Sequence, residues 1–236
     1  MSAGITIVHS DRLELSFSPK PWVFAEQRAI EIDALFAAMR VATPALWNGR
    51  VLMLHDYSYV DGVFRGDYLE TDFASFRAWH DWGCPGAPIY DSFGAAAILT
   101  ADNAFILGIM GAQTANAGRI YFPCGTPDPD DIIQGKVDLD LSVRRELREE
   151  TGLEARDFAA EPGWTTVIAG PMIAQIKVLR SWDNAASLQA RIREHIARDP
   201  KAELAGTSTA RGLKDLTPSM PDFVTAFLKY RWAGNR

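Results

Sequence analysis

The sequence predicts an α/β (α+β) fold, with a small N-terminal α/β extension over residues 1–83 followed by a larger domain over residues 84–236. Three observations carry this. Apolar patterns of period two and period 3.6 alternate along the chain. A proline- and glycine-rich stretch, Cys84-Pro85-Gly86-Ala87-Pro88, falls between periodic segments and reads as a boundary. The middle of the chain carries an acidic helix stopped abruptly by Gly152.

The first elements follow from local pattern. Residues 5–8 and 12–17 read as strands, the second with Leu13, Leu15 and Phe17 alternating with polar residues. Pro19-Lys20-Pro21 breaks the pattern. A helix is predicted over 25–40, with Ile30, Leu35, Phe36 and Met39 as its apolar face. Asn48-Gly49 signals a turn before a strand at 51–55, and a second strand is expected at 61–68. Thr71 reads as the N-cap of an aromatic-rich helix over 72–82, ended by Gly83.

Past the boundary, residues 93–99 and 104–110 read as a hairpin and 118–122 as a further strand. A loop, Pro123-Cys124-Gly125-Thr126-Pro127-Asp128-Pro129, precedes the acidic helix. After Gly152 come strands over 164–182 turned at Gly170-Pro171, a helix over 185–198, a strand over 204–210 and a helix over 220–232. Pro221 suits the first turn of that last helix.

Composition narrows the function. The 236 residues are 47% hydrophobic and 23% charged, enough apolar material for a sizeable core. A net charge of −6 argues against a partner with a phosphate backbone, so no nucleic acid is expected. A small anionic substrate stays open, because a bound cation reverses the sign of an acidic pocket. The N-terminus lacks a basic region before an apolar run, and no apolar stretch reaches membrane length. Cys84 and Cys124 lie outside any Cys-x-x-Cys pair, which fits a reduced cytoplasmic setting without structural zinc.

The chemistry concentrates in Arg145-Glu146-Leu147-Arg148-Glu149-Glu150-Thr151-Gly152-Leu153. Residues three and four apart on a helix are neighbours, so Glu146 adjoins both Glu149 and Glu150. Such carboxylates repel one another unless something positive sits among them, and hard cations such as Mg²⁺ take oxygen ligands. A solvated Arg/Glu face would explain the composition alone. However, Leu139, Val143 and Leu147 form an apolar stripe, and Glu150 falls back onto it. A carboxylate aimed at a buried edge is costly unless paired or bound to a cation.

These nine residues also resemble the second half of the Nudix box (Arg-Glu-apolar-any-Glu-Glu-any-Gly-apolar), with every fixed position filled. The resemblance extends over roughly residues 90–232 in element order and implies the Nudix-type fold, a mixed sheet sandwiched between helices. It implies a Mg²⁺- or Mn²⁺-dependent hydrolase of a nucleoside diphosphate linked to another group. In that reading Glu146, Glu149 and Glu150 hold the metal and are catalytic, and Glu203 is by position the downstream base or extra ligand. Arg145 would orient Glu149 one turn away. Gly125 would touch substrate, because Pro123-Cys124-Gly125 looks like the Pro-Gly-Gly element ahead of the catalytic helix.

The first half of the box is damaged. Where the family carries glycine and glutamate, this chain has Asp131 and Val137, with Gly135 one residue out of register and Lys136 in place of the acid. Asp128, Asp130, Asp131, Asp138 and Asp140 could compensate, although Asp138 or Asp140 suits a helix N-cap. This damage, the 123–129 loop, Pro21-Trp22-Val23-Phe24 and the N-terminal extension resemble the branch that hydrolyses UDP-glucose and UDP-galactose. The products would be a nucleoside monophosphate and a sugar 1-phosphate. Position 168 is Ile168 instead of the proline of ADP-ribose enzymes, and no tyrosine stands at the spacing of diadenosine-polyphosphate enzymes.

Other readings stay open. A non-catalytic Nudix-like domain that binds a nucleotide is motivated by Asp131 and Val137. Capped nucleotides, coenzyme A and damaged nucleoside triphosphates are alternative substrates. The N-terminal unit could cover the pocket or form a homodimer contact. His9, His55, His80 and His195 show no metal-ligand spacing, Cys124 has no assignable histidine, and Tyr57, Tyr59 and Tyr68 fit packing as well as a sugar or base pocket.

Overall fold

The computed structural model describes residues 4–44, 46–86 and 88–234. Ala87 of the predicted boundary segment, and Met1, Ser2 and Ala3 at the start, lie outside the described residues. Among the described residues no helix is long and apolar enough to cross a membrane.

The chain forms two compact units that interleave in sequence. One comprises the chain up to Arg12, Phe93–Gly125 and everything from Leu139 onward; the other comprises Leu13–Ser92 and Thr126–Asp138. The expected single boundary at 83/84 treats the units as consecutive. The chain instead passes between them after Arg12, Ser92, Gly125 and Asp138.

The first strands are β1 (Thr6–Ser10) and β2 (Arg12–Phe17). The helix expected over 25–40 is two helices, α1 (Val23–Gln27) and α2 (Ala29–Ala42). They part at Arg28, whose φ of −111° and ψ of 15° leave the helical region. On α2 it is Ile32 and Phe36 that pack against Ala74 and Ala78, with Leu35 and Met39 beside them. Ile30, expected on that face, is 85% exposed.

β3 (Arg50–Val60) and β4 (Val63–Asp72) form an antiparallel hairpin. Its turn is Asp61-Gly62, both at positive φ (51° and 73°), so the strand expected from Asp61 begins only at Val63. α3 (Phe73–Asp81) is capped by Asp72, whose carboxylate accepts from the Ser75 N–H at 2.7 Å. Thr71, expected as that cap, lies within β4 opposite Val51.

β5 (Asp91–Leu99), β6 (Phe105–Met110), β7 (Ile120–Tyr121) and β8 (Cys124–Gly125) follow. Residues 132–137, for which no strand is predicted, form a small hairpin of β9 (Ile132–Ile133) and β10 (Lys136–Val137). The acidic segment is α4 (Leu139–Thr151). After it come β11 (Phe158–Ala160), β12 (Trp164–Ala169), β13 (Met172–Ser181), α5 (Ala185–Arg198), β14 (Leu204–Ala210) and α6 (Asp222–Trp232).

The smaller unit's sheet runs β3-β4-β2-β10-β9. Trp22, Met53, Leu69, Trp79 and Ile89 form one core on it. The larger unit's sheet runs β1-β12-β13-β5-β6-β14, with β7 also on β6, β8 on β5 and β11 on β13. Successive side chains on a strand point to opposite faces, and β5 shows what each face meets. Phe93, Ala95, Ala97 and Leu99 pack with Phe223, Val224, Phe227 and Leu228 of α6. Gly94, on the opposite face, lies against Leu139 and Val143 of α4. Helices therefore cover both faces of this sheet, in the α/β (α+β) class read from the sequence. On the α6 side, Phe105, Phe122 and Phe227 meet edge to face with centroids 5.4–6.1 Å apart.

Candidate active site

α4 stands on a floor of two glycines. Gly94 and Gly125 are cross-strand partners of the β5–β8 pair. A Cβ on Gly94 would fall 2.6 Å from Val143 Cγ2, and one on Gly125 would fall 2.5 Å from Glu146 Oε1. The missing side chains let the helix approach the strands closely enough for backbone to reach carboxylate. Next along β8, the Cys124 N–H donates to Glu150 Oε1 at 3.3 Å. Gly94 carried a legible signal, a lone glycine within an apolar strand, which marks close approach of another segment.

The structure separates the three carboxylates. Leu139, Val143, Leu147 and Glu150 are all buried on one face of α4, as the stripe predicts. Glu150 is only 7% exposed, and its Oε2 is buried with no hydrogen bond. Burial, followed by the charges of Glu146 and Glu203, pushes its pKa well above the carboxylate range. Glu146 is pushed up to about 7, chiefly by burial, with Arg145 opposing the rise and Glu149 and Glu203 adding to it. Glu149 differs: its side chain is 56% exposed and lies 4.0 Å from Arg148. Arg145 pairs with Glu146 (Nη2 to Oε1, 3.4 Å), not with Glu149 as expected. Neighbouring positions on the helix surface set this choice, because Glu149 projects outward while Glu146 turns toward β8.

Three carbonyls near the end of the helix have partners. Thr151 Oγ1 donates to the Leu147 carbonyl, Gly152 N–H to the Arg148 carbonyl at 2.9 Å, and His195 Nε2 lies 3.0 Å from the Glu149 carbonyl. The last two satisfy acceptors that a helix C-terminus otherwise leaves open. Gly152 has φ of 68°, the left-handed conformation expected of it, and a Cβ there would strike His195 at 2.6 Å. The histidine with no metal-ligand spacing thus supports the motif from α5.

Glu203 sits just before β14, its carbonyl accepting from Gly111 N–H at 2.7 Å. Its side chain is exposed, yet its charge raises the pKa of Glu146, Glu150 and Tyr121. β14 pairs with β6 and brings residue 203 to the same end of the sheet as β7. Tyr121 on β7 is buried and accepts a bond from Asn116 Nδ2 at 3.2 Å. Neither Tyr121 nor Asn116 stood out in the sequence.

The upstream aspartates hold local turns. Asp128 accepts from Asp130 N–H at 2.8 Å, Asp131 accepts from Asp128 N–H at 3.1 Å, and Asp140 pairs with Arg144. Among the described residues no three His, Cys, Asp or Glu side chains converge to hold a metal ion as they stand. The donor chemistry nevertheless fits a hard cation: Glu150 Oε2 is a buried, unpartnered carboxylate oxygen, and Glu146 lies on the same helix face one turn away.

No family model and no curated protein matches the chain. Solved structures similar to it include Nudix hydrolases. RenU, a Nudix hydrolase from M. smegmatis, is 11% identical over 63% of this chain and 89% of its own, with a TM-score of 0.39. A MutT protein from Methanosarcina mazei Go1 is 20% identical over 62% of this chain and 96% of its own, with a TM-score of 0.39. The C-terminal domain of mouse MUTYH, solved in complex with human PCNA, is 12% identical over 61% and 90%, with a TM-score of 0.35. At these values the likeness carries no argument about this chain.

Proposed function

We propose that this protein is a Nudix-type pyrophosphohydrolase that uses Mg²⁺ or Mn²⁺ to cleave the diphosphate of a nucleoside diphosphate-linked substrate. The substrate class is a nucleotide sugar such as UDP-glucose, giving a nucleoside monophosphate and a sugar 1-phosphate. One observation carries the reading: the buried, unpartnered Oε2 of Glu150 on the helix face it shares with Glu146. Glu150 and Glu146 would hold the cation, with Glu149 joining from the adjoining face. When bound, the cation would neutralise the diphosphate and acidify a nearby water.

The chain supplies the rest. The Cys124 N–H holds Glu150 Oε1 and leaves Oε2 for binding. Arg145 steadies Glu146. Gly125 leaves the space that the Glu146 carboxylate fills. Glu203 acts as base on the attacking water, from a position where its charge already reaches Glu146 and Glu150. The nucleotide-sugar assignment is supported by the 123–129 loop, whose Cys124-Gly125 step packs on the acidic helix.

Incubation with UDP-glucose, UDP-galactose, ADP-ribose and diadenosine tetraphosphate, each with Mg²⁺ or Mn²⁺, tests the proposal. Release of UMP and a sugar 1-phosphate from UDP-glucose or UDP-galactose is expected. No release from any of them, with metal shown to be bound, overturns it. A second reading, a non-catalytic nucleotide-binding domain, is favoured by the outward Glu149 and the lack of three converging ligands among the described residues. Calorimetry showing nucleotide binding without turnover at any metal concentration would select it.

A further inference from the structure

We infer that Tyr121 is a substrate-contacting residue whose phenol O–H, oriented by Asn116, donates to a phosphoryl oxygen of the bound diphosphate. The inference rests on the diphosphate-cleaving reading above.

The placement comes from the sheet. Tyr121 pairs with Gly108 on β6, and Gly108 pairs on its other side with Thr207 of β14. Further along the same strands, Met110 stands opposite Leu204, next to Glu203. Residues 121 and 203 therefore share one end of the sheet. β8, which holds Glu150 through the Cys124 N–H, begins three residues after Tyr121.

The hydrogen bonding defines what is missing. Asn116 Nδ2 donates to the phenol oxygen, and among the described residues the phenol donates to nothing. Its proton stays in place, because burial and the nearby Cys124, Glu150 and Glu203 all disfavour a phenolate. Tyr121 is then a donor, not a base or nucleophile. Close by, Glu150 Oε2 is an acceptor with no donor. A neutral ligand could bridge the two groups but would leave the repulsion among Glu146, Glu150 and Glu203 in place. A phosphoryl oxygen arriving with a divalent counterion satisfies both groups: the oxygen accepts from the phenol, and the cation neutralises the carboxylates.

The test is binding of methylenediphosphonate, a non-hydrolysable diphosphate, in the presence of Mg²⁺, measured by calorimetry on the wild type, Tyr121→Phe and Asn116→Ala. Phenylalanine keeps the ring and its packing. A hydrogen bond to a charged group predicts affinity lowered about tenfold or more in Tyr121→Phe, with a smaller loss in Asn116→Ala and unchanged far-UV circular dichroism. Unaltered affinity in a folded Tyr121→Phe, while the wild type binds, overturns this inference and leaves the diphosphate reading standing. If Tyr121→Phe does not fold, unaltered affinity in Asn116→Ala overturns it instead, because Asn116 is exposed and its truncation leaves the core intact. A wild type that does not bind the probe with Mg²⁺ overturns the diphosphate reading and this inference together.

Discussion

Gly94 and Gly125 face one another across the β5–β8 pair, and each lies beneath a different turn of α4. The two sites differ in what a methyl group would strike. At Gly94 it meets Val143 Cγ2 at 2.6 Å and the Leu139 carbonyl at 3.1 Å, packed apolar atoms and backbone. At Gly125 the nearest atoms are the carboxylate end of the Glu146 side chain, the far end of a flexible group. Gly94→Ala should therefore cost stability, about 1–3 kcal/mol as overpacking does. Gly125→Ala should unfold in urea close to wild type while losing activity through a displaced Glu146. Equal stability losses in the two variants would contradict this division.

Glu150→Gln and Glu146→Gln remove inward charge at nearly constant volume. Each should lower activity by more than the roughly 10–100-fold typical of groups that only support a metal ligand. Glu149→Gln should also lower activity. Arg145→Ala should cost less, since it leaves Glu146 present but less steadily held. Near-native turnover in all the glutamine variants at saturating Mg²⁺ would reduce the helix to an ordinary charged face.

The same carboxylates set a pH dependence. Glu146 rises from 4.5 to about 7 in the folded protein. Across that window the folded state keeps a proton that the unfolded state has released, so stability falls as pH rises. Glu150, shifted in the same direction, extends the fall. Without divalent cations, the melting temperature should drop between about pH 5 and about pH 8. Glu150→Gln or Glu146→Gln should flatten the slope. Some slope should persist, because buried Asp91 is also raised to about 7. Mg²⁺ should recover stability at the alkaline end in the wild type only, read by differential scanning calorimetry.

Glu203→Gln should lower kcat by about 10²–10⁴-fold, the range of general base catalysis, and change KM little. The side chain is exposed, so the melting temperature should hold. An unchanged kcat would pass the proton-accepting role to another group.

Gly152→Ala should destabilise by about 1–2 kcal/mol from the left-handed backbone alone, and further because its methyl group would crowd His195. His195→Gln retains a donor for the Glu149 carbonyl and should stay near wild type in urea unfolding, whereas His195→Leu should not.

The acidic helix was readable from the sequence because a helix face is a local property. The Leu139, Val143 and Leu147 stripe placed Glu150 inward, and Gly152 ended the helix in the conformation that glycine favours. The class of the larger unit and most of its strands were readable for the same reason. Local signals also competed within a few residues. Asp72 took the cap assigned to Thr71, because α3 begins at Phe73 and Asp72 is the residue immediately before it, and Asp61-Gly62 became the turn of the β3–β4 hairpin.

Tertiary structure decided what depends on partners distant in sequence. Arg145 joins Glu146 because that carboxylate turns inward, while Glu149 stays outside near Arg148. Glu203 reaches the acidic helix's field only through the β6–β14 pairing, and His195 meets Gly152 only because α5 packs on α4. The interleaving of the two units depends on residues 126–138 joining a sheet begun at β2. Period and propensity describe one segment at a time, whereas register and packing are set by the whole chain closing on itself.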